Sequence, residues 1–164
     1  MRPLHFLLAL LLAVLAGTAA QAQTFPKLTG RVVDAANLLS PEQEAQLTAM
    51  SDATEQATGR QLVVATVTDL QGYPIEDYGY QLGRAWGIGQ KDANNGIILL
   101  VAPNERKVRI EAGCGLEKSL TDEEADGIIQ QRILPRFKKG DMAGGILTGS
   151  AAIIREISTP GTTL

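Results

Sequence analysis

The chain has 164 residues, 45% hydrophobic and 20% charged, with 17 Gly, 7 Pro and a single Cys. That composition excludes a disordered, a collagen-like and a disulfide-stapled protein. Lys and Arg number 15 against 18 Asp and Glu, so the formal charge is −3 and no basic surplus recommends a nucleic-acid partner.

Residues 1–22 read as a secretory signal peptide. Arg2 and His5 give a short basic start, Phe6 to Ala16 is an apolar run, and Ala20-Gln21-Ala22 is a small-x-small cleavage site. The apolar run falls short of the roughly 20 residues that a membrane span needs. The expected product is therefore soluble and exported, periplasmic or secreted, and begins at Gln23. Cleavage also removes His5, the only histidine of the chain. Without imidazole there is no Ser-His-Asp triad, no Cys-His pair and no His-ligated metal. The lone Cys114 excludes an intrachain disulfide and a thiolate cluster. Chemistry is left to carboxylates, hydroxyls, amides, Lys, Arg and backbone.

Residues 23–29 form a polar, Pro-containing lead, expected to be extended and partly mobile. Ser40-Pro41-Glu42-Gln43 is a helix start, with Ser as N-cap, Pro at the first helical position and Gln three residues on. Leu47, Met50, Ala53 and Ala57 then mark its inner face, and Gly59 ends it. Gln61 to Val67 is a β-branched run that predicts a buried strand. Ile75, Tyr78, Leu82 and Trp86 share one face of a second helix, ended by Gly87. Ile97–Ala102 and Lys107–Glu111 flank the turn Pro103-Asn104-Glu105-Arg106 and predict a β-hairpin. Thr121-Asp-Glu-Glu124 is a capping box opening a helix that Pro135 should close. A last helix starts at Asp141 and turns Met142, Ile146, Ile153 and Ile157 inward. The helix and strand order predicts a single α/β domain over residues 30–157, a three-layer α/β/α sandwich around a small mixed sheet. Residues 158–164 are a polar tail.

Several segments resemble the TPM domain family, found in exported bacterial proteins, thylakoid-lumen proteins and an animal receptor modulator. They are Gly30-Arg-Val-Val-Asp34 leading to Leu38-Leu-Ser-Pro41, then Trp86-Gly-Ile-Gly89 and Asn95 to Ala102, then Lys107 to Glu117 with Leu120-Thr-Asp122. The resemblance runs from about Phe25 to Ile157. Two departures stand out. Cys114 occupies a place usually held by an aromatic, and the anchor and Gly-rich tail of many bacterial members are missing. The resemblance implies an α/β/α fold and three kinds of role: acid phosphatase, calcium binding, and accessory to membrane complexes. The expected partner is accordingly a membrane or envelope protein complex.

Three clusters carry candidate chemistry. Asp92, Asn94 and Asn95 precede one hairpin strand, while Glu111, Glu117 and Asp122 lie at or after the end of its antiparallel partner. With Asp34 joining them, Asp34, Asn95, Glu117 and Asp122 form an expected oxygen-ligand site for a divalent cation, Ca2+ ahead of Mg2+. The Asp92–Gly96 stretch is not an EF-hand, because its Gly comes one residue early. The alternative is a polar loop that caps helices and turns. Gly113-Cys-Gly-Leu-Glu-Lys118 is either an anion cradle or a tight turn. Cys114 is either reactive or a small half-buried loop residue. Arg109 and Glu111 share a strand face and are expected to pair, and Arg136, Lys138 and Lys139 make a short basic run. The functional expectation is an exported, cation-binding accessory domain. A metal-assisted acid phosphatase and a ligand-free interaction module are the alternatives.

Overall fold

The computed structural model describes residues 22–159. Most of the expected signal peptide and residues 160–164 of the polar tail lie outside the described residues. Four strands form one sheet in the order β1 (Val32–Asp34), β2 (Gln61–Thr66), β3 (Gly96–Ala102) and β4 (Lys107–Ala112). β1, β2 and β3 are parallel, and β4 closes the sheet antiparallel to β3, with Leu99 opposite Ile110. The hairpin and the mixed sheet are as the sequence predicts. β1 is an addition: three residues long, it falls below the length at which a β-branched run stands out.

Helix α1 (Pro41–Thr58) follows β1, and its start is the capping box that Ser40 and Gln43 encode. It ends on Gly59 in the left-handed conformation, φ 74°. Its inner face differs from the expected one. Leu47, Ser51 and Thr54 are buried, whereas Ala53 and Ala57 are exposed. Thr54 is tolerated inside because its hydroxyl donates to the Met50 carbonyl at 2.8 Å. Helix α2 (Ile75–Trp86) buries Ile75, Tyr78 and Leu82, and ends on left-handed Gly87.

After β4 come a 3-10 turn (Cys114–Leu116) and α3 (Asp122–Ile128), opened by the reciprocal bonds of Thr121 and Glu124. Pro135 does not close this helix. The chain widens into a π turn over Ile129–Ile133, where the Leu134 N–H donates to the Ile129 carbonyl, and continues as α4 (Leu134–Phe137). The wider turn admits the proline ring and removes the need for its missing N–H. Helix α5 (Met142–Ser158) starts on Asp141, whose carboxylate accepts from Gly144 N–H at 2.9 Å.

Side chains alternate through β2 and β3, so the sheet has two cores. On one face Leu62, Val64, Ile97, Leu99 and Val101 pack with Leu47 of α1 and Ile146, Ile153 and Ile157 of α5. On the other, Ala65, Ile98, Leu100 and Ala102 pack with Ile75, Tyr78 and Leu82 of α2. Helices therefore cover both faces, which makes the three-layer sandwich. Topology adds a constraint. From β1 to β2 to β3 the chain steps in one direction across the sheet, yet α1 and α2 lie on opposite faces. The two crossovers are consequently of opposite hand, and one of them is of the uncommon left-handed kind. The connections leaving β1 and β2 diverge to opposite faces, which opens a crevice at the carboxyl ends of those strands.

Candidate functional site

The sheet register fixes where the four expected cation ligands fall. Asp34 lies opposite Thr66, and Thr66 opposite Val101, at the carboxyl edge of the parallel strands. Gln61 lies opposite Gly96, and Ile97 opposite Ala112, at the amino edge. The six-residue β2 holds these edges about 16 Å apart. Asn95 and the turn after β4 do share the amino edge: Gly113 N–H donates to Gly96 and Gly115 N–H to the Asn94 carbonyl, at 2.9 and 3.2 Å. Glu117 and Asp122 follow on that side, both exposed. Asp34 lies at the opposite edge, so the fold does not bring it beside the other three residues of the expected four-residue pocket. The expectation stepped from helix start to hairpin without a register to say which edge each loop occupied.

The side chains are also engaged elsewhere. Asp34 accepts from the Leu38 N–H at 3.0 Å, the Leu39 N–H at 2.8 Å and the Thr66 hydroxyl at 2.5 Å. Asn95 donates to the Gly59 carbonyl and accepts from the Gln90 N–H, both at 2.7 Å, tying its own loop to the turn after α1. Asp122 is the first residue of α3, where its charge suits the helix dipole. Among the described residues, no group of three His, Cys, Asp or Glu side chains is placed to hold one metal ion. As placed here, Asp34, Asn95, Glu117 and Asp122 do not converge on one shared point.

The Gly113–Lys118 turn is a tight turn. A Cβ at Gly113 would overlap the Asn94 carbonyl and one at Gly115 the Ala93 carbonyl. The N–H groups of Gly113, Gly115, Leu116 and Glu117 all bond to backbone carbonyls, leaving little to offer an anion. Cys114 is exposed between these glycines rather than half-buried. Arg109 and Glu111 pair at 3.0 Å as expected, and Arg136 of the basic run binds Asp141 at 2.9 Å.

A cavity of about 920 Å³ lies at the carboxyl edge, where the crossovers diverge. Ala35, Val67, Thr68 and Asp69 form its base, with Gln71, Tyr73 and Tyr78 along one wall. Its far wall is the chain's own lead, expected from its composition to be partly mobile but held here by side-chain and backbone contacts. The Gln71 carboxamide grips both backbone groups of Thr24. Its oxygen accepts from the Thr24 N–H at 3.0 Å, and its nitrogen donates to the Thr24 carbonyl at 2.6 Å. The next residue, Phe25, packs edge-on against Tyr78 with ring centroids 5.3 Å apart. Trp86 then donates its indole N–H to the Pro26 carbonyl at 2.9 Å.

Asp69 is the one charged side chain among the described residues lining the crevice. Asp69 caps the loop by accepting from the Gln71 N–H. Burial, reinforced by the charges of Asp69 and Glu105, holds the Tyr78 phenol above its ordinary range, against a hydrogen bond with Gln71. Gln71 sits in the left-handed region at φ 56°, unusual for a residue with a side chain. The one sequence signal for this wall was its position, a loop leaving a parallel strand at its carboxyl end.

Residues 32–156 match the family model described as the TPM domain. No curated protein matches the sequence. Among solved structures, the chain is similar to the N-terminal domain of a P. gingivalis protein. The two are 34% identical with a TM-score of 0.73, over 78% of this chain and 82% of that one. It also shares its fold with the N-terminal domain of a Corynebacterium glutamicum protein, at 21% identity and a TM-score of 0.63 over 87% and 90% of the two chains. The BA42 protein of the psychrophile Bizionia argentinensis shares the fold at 17% identity and a TM-score of 0.64, over 76% and 86%.

Proposed function

Because this chain belongs to the TPM domain family, we propose that it is an exported accessory domain that recognises an extended segment of an envelope or membrane protein in the carboxyl-edge crevice. One observation carries the reading. The Gln71 carboxamide satisfies both the N–H and the C=O of Thr24, as a neighbouring strand would. The crevice thus already accommodates extended backbone, supplied by the chain itself, with about 920 Å³ alongside it. Asp69 and the hydroxyls of Thr68 and Tyr73 offer acceptors, and the aromatic rings offer faces. A partner segment bearing Lys or Arg fits that lining best.

Divalent cations are not the ligand in this proposal, and phosphate-ester hydrolysis is not its chemistry. Phosphate transfer needs cationic or N–H partners for the developing charge. Among the described residues, this crevice is lined by Asp69 and by no Lys or Arg, and the amino-edge turn spends its N–H groups internally. The experiment is site-specific photocrosslinking in the producing cell, with the reactive side chain at exposed Tyr73 or, as control, at exposed Ala151 on α5. Envelope or membrane adducts are expected at Tyr73, and Asp69→Arg should abolish them. Equal adducts at both positions, or aryl-phosphate turnover by the purified chain that survives in Asp69→Arg, would overturn the reading.

A further inference from the structure

A second cleft, of about 690 Å³, opens on the other face of the sheet, between the β3–β4 turn and the segment joining α4 to α5. Its floor is apolar, built from Leu134, Phe137 and Met142. Its rim carries Arg106 and Lys107 on one side and Lys138 on the other. No carboxylate lines it: Glu105, next in the chain, turns away and accepts from the Leu70 N–H at 2.9 Å. None of the three cations forms an ion pair among the described residues. A chain of net charge −3 therefore concentrates three unneutralised positive charges around one apolar hollow. Arg106 also holds the left-handed conformation at φ 56°, where Gly or Asn would fit without strain.

We propose that this cleft binds a single-chain anionic amphiphile, with its acyl body on the Leu134–Phe137–Met142 floor and its carboxylate or phosphate between Arg106, Lys107 and Lys138. Charge complementarity selects the head group, and the apolar floor selects the tail. The volume falls in the range of about 300–1,000 Å³ common to small-molecule sites. The shape decides between a free molecule and a bilayer surface. Among the described residues, the large apolar side chains that stand exposed are Leu28, Tyr73 and Tyr80, none of them at this rim. Nothing here protrudes to enter a membrane, so the occupant is a molecule taken up singly.

Met142 reports on the floor, and Met50 on α1 serves as an internal control. Methyl NMR of the methionine-labelled protein is therefore the test, with decanoate and decyl phosphate as probes. Both should shift the Met142 methyl saturably and leave Met50 unmoved. Decanol and decyltrimethylammonium should bind at least tenfold more weakly. The double variant Lys107→Glu, Lys138→Glu, both positions being exposed, should lose about tenfold in affinity with an unchanged thermal melt. Absence of a saturable Met142 shift with decanoate overturns the proposal, as does equal binding of decanol. A shift caused by phosphatidylglycerol vesicles alone would make the cleft a bilayer contact, and one caused by a Glu-rich peptide alone would make it a protein contact. Either result also overturns it.

Discussion

Thr66 on β2 donates its hydroxyl to Asp34 on β1 at 2.5 Å, across the register pair that ends both strands. The same hydroxyl accepts from Ala36 N–H at 3.0 Å, while Asp34 also caps Leu38 and Leu39. Two side chains thus hold the turn that sends the chain from β1 to α1, and with it the mouth of the crevice. Asp34→Ala leaves the fully buried Thr66 hydroxyl and two N–H groups short of an acceptor. Hydrogen bonds to a charged group contribute about 1.5–3 kcal/mol each, so the variant should lose roughly 3 kcal/mol in denaturant melts. Asp34→Asn should lose less, since it keeps one acceptor oxygen. Wild-type stability in Asp34→Ala would return Asp34 to the list of free carboxylates.

Close approach sets a second prediction. Gly115 has no room for a Cβ beside the Ala93 carbonyl, and Gly113 none beside that of Asn94. Backbone cannot yield as a flexible side chain does, so Gly115→Ala should cost about 1–3 kcal/mol. Cys114→Ala, at an exposed position between them, should cost less than about 0.5 kcal/mol. Equal melts for the two variants would mean that the amino-edge turn is looser than its contacts indicate.

How much of this was legible in the sequence follows from how local each signal is. The caps at Ser40 and Thr121 and the helix start at Asp141 are short-range chemistry and read directly. So did the hairpin, since two apolar runs around a four-residue turn leave few other pairings. β1 was not legible, because Val32 and Val33 become a strand only through pairing with β2. Pro135 was misread as a stop because its neighbours could adopt a π turn. The crevice was missed for a tertiary reason. Asp69, Gln71 and Tyr73 look like ordinary loop residues until two crossovers of opposite hand part beside them. Asp34 was recognised as special, but whether it serves a ligand or a turn is decided by Thr66, 32 residues away in the chain.

The buried phenol of Tyr78 predicts an alkaline limit. Burial, with Asp69 and Glu105 nearby, raises its folded-state pKa above the unfolded value near 10. The neutral form is the one the fold favours, so the contribution is fully present below pH 10 and is lost as pH rises through the folded pKa. Stability should fall with increasing slope above about pH 10. Tyr78→Phe keeps the ring against Phe25 and should flatten that limb while leaving neutral-pH stability within about 1 kcal/mol. An unchanged alkaline limb in Tyr78→Phe would assign the loss to other groups.

Divalent cations supply the last prediction. A site filled at one hundred times its dissociation constant adds about 2.7 kcal/mol, several degrees of melting temperature for a domain of this size. A site at its dissociation constant adds only about 0.4 kcal/mol. The sheet holds Asp34 about 16 Å from the edge that carries Glu117 and Asp122. Those two are exposed, and Asn95 spends both ends of its amide on Gly59 and Gln90. Millimolar calcium or magnesium should therefore shift the melt by no more than a degree or so, and equally in wild type and Asp122→Asn. Asp122→Asn should itself melt slightly lower at neutral pH, because a charge at the start of α3 favours the helix dipole. A calcium shift of several degrees that disappears in Asp122→Asn would count against this. It would require the loops before β3 and after β4 to close around the ion and gather carboxylates that the metal-free fold keeps apart.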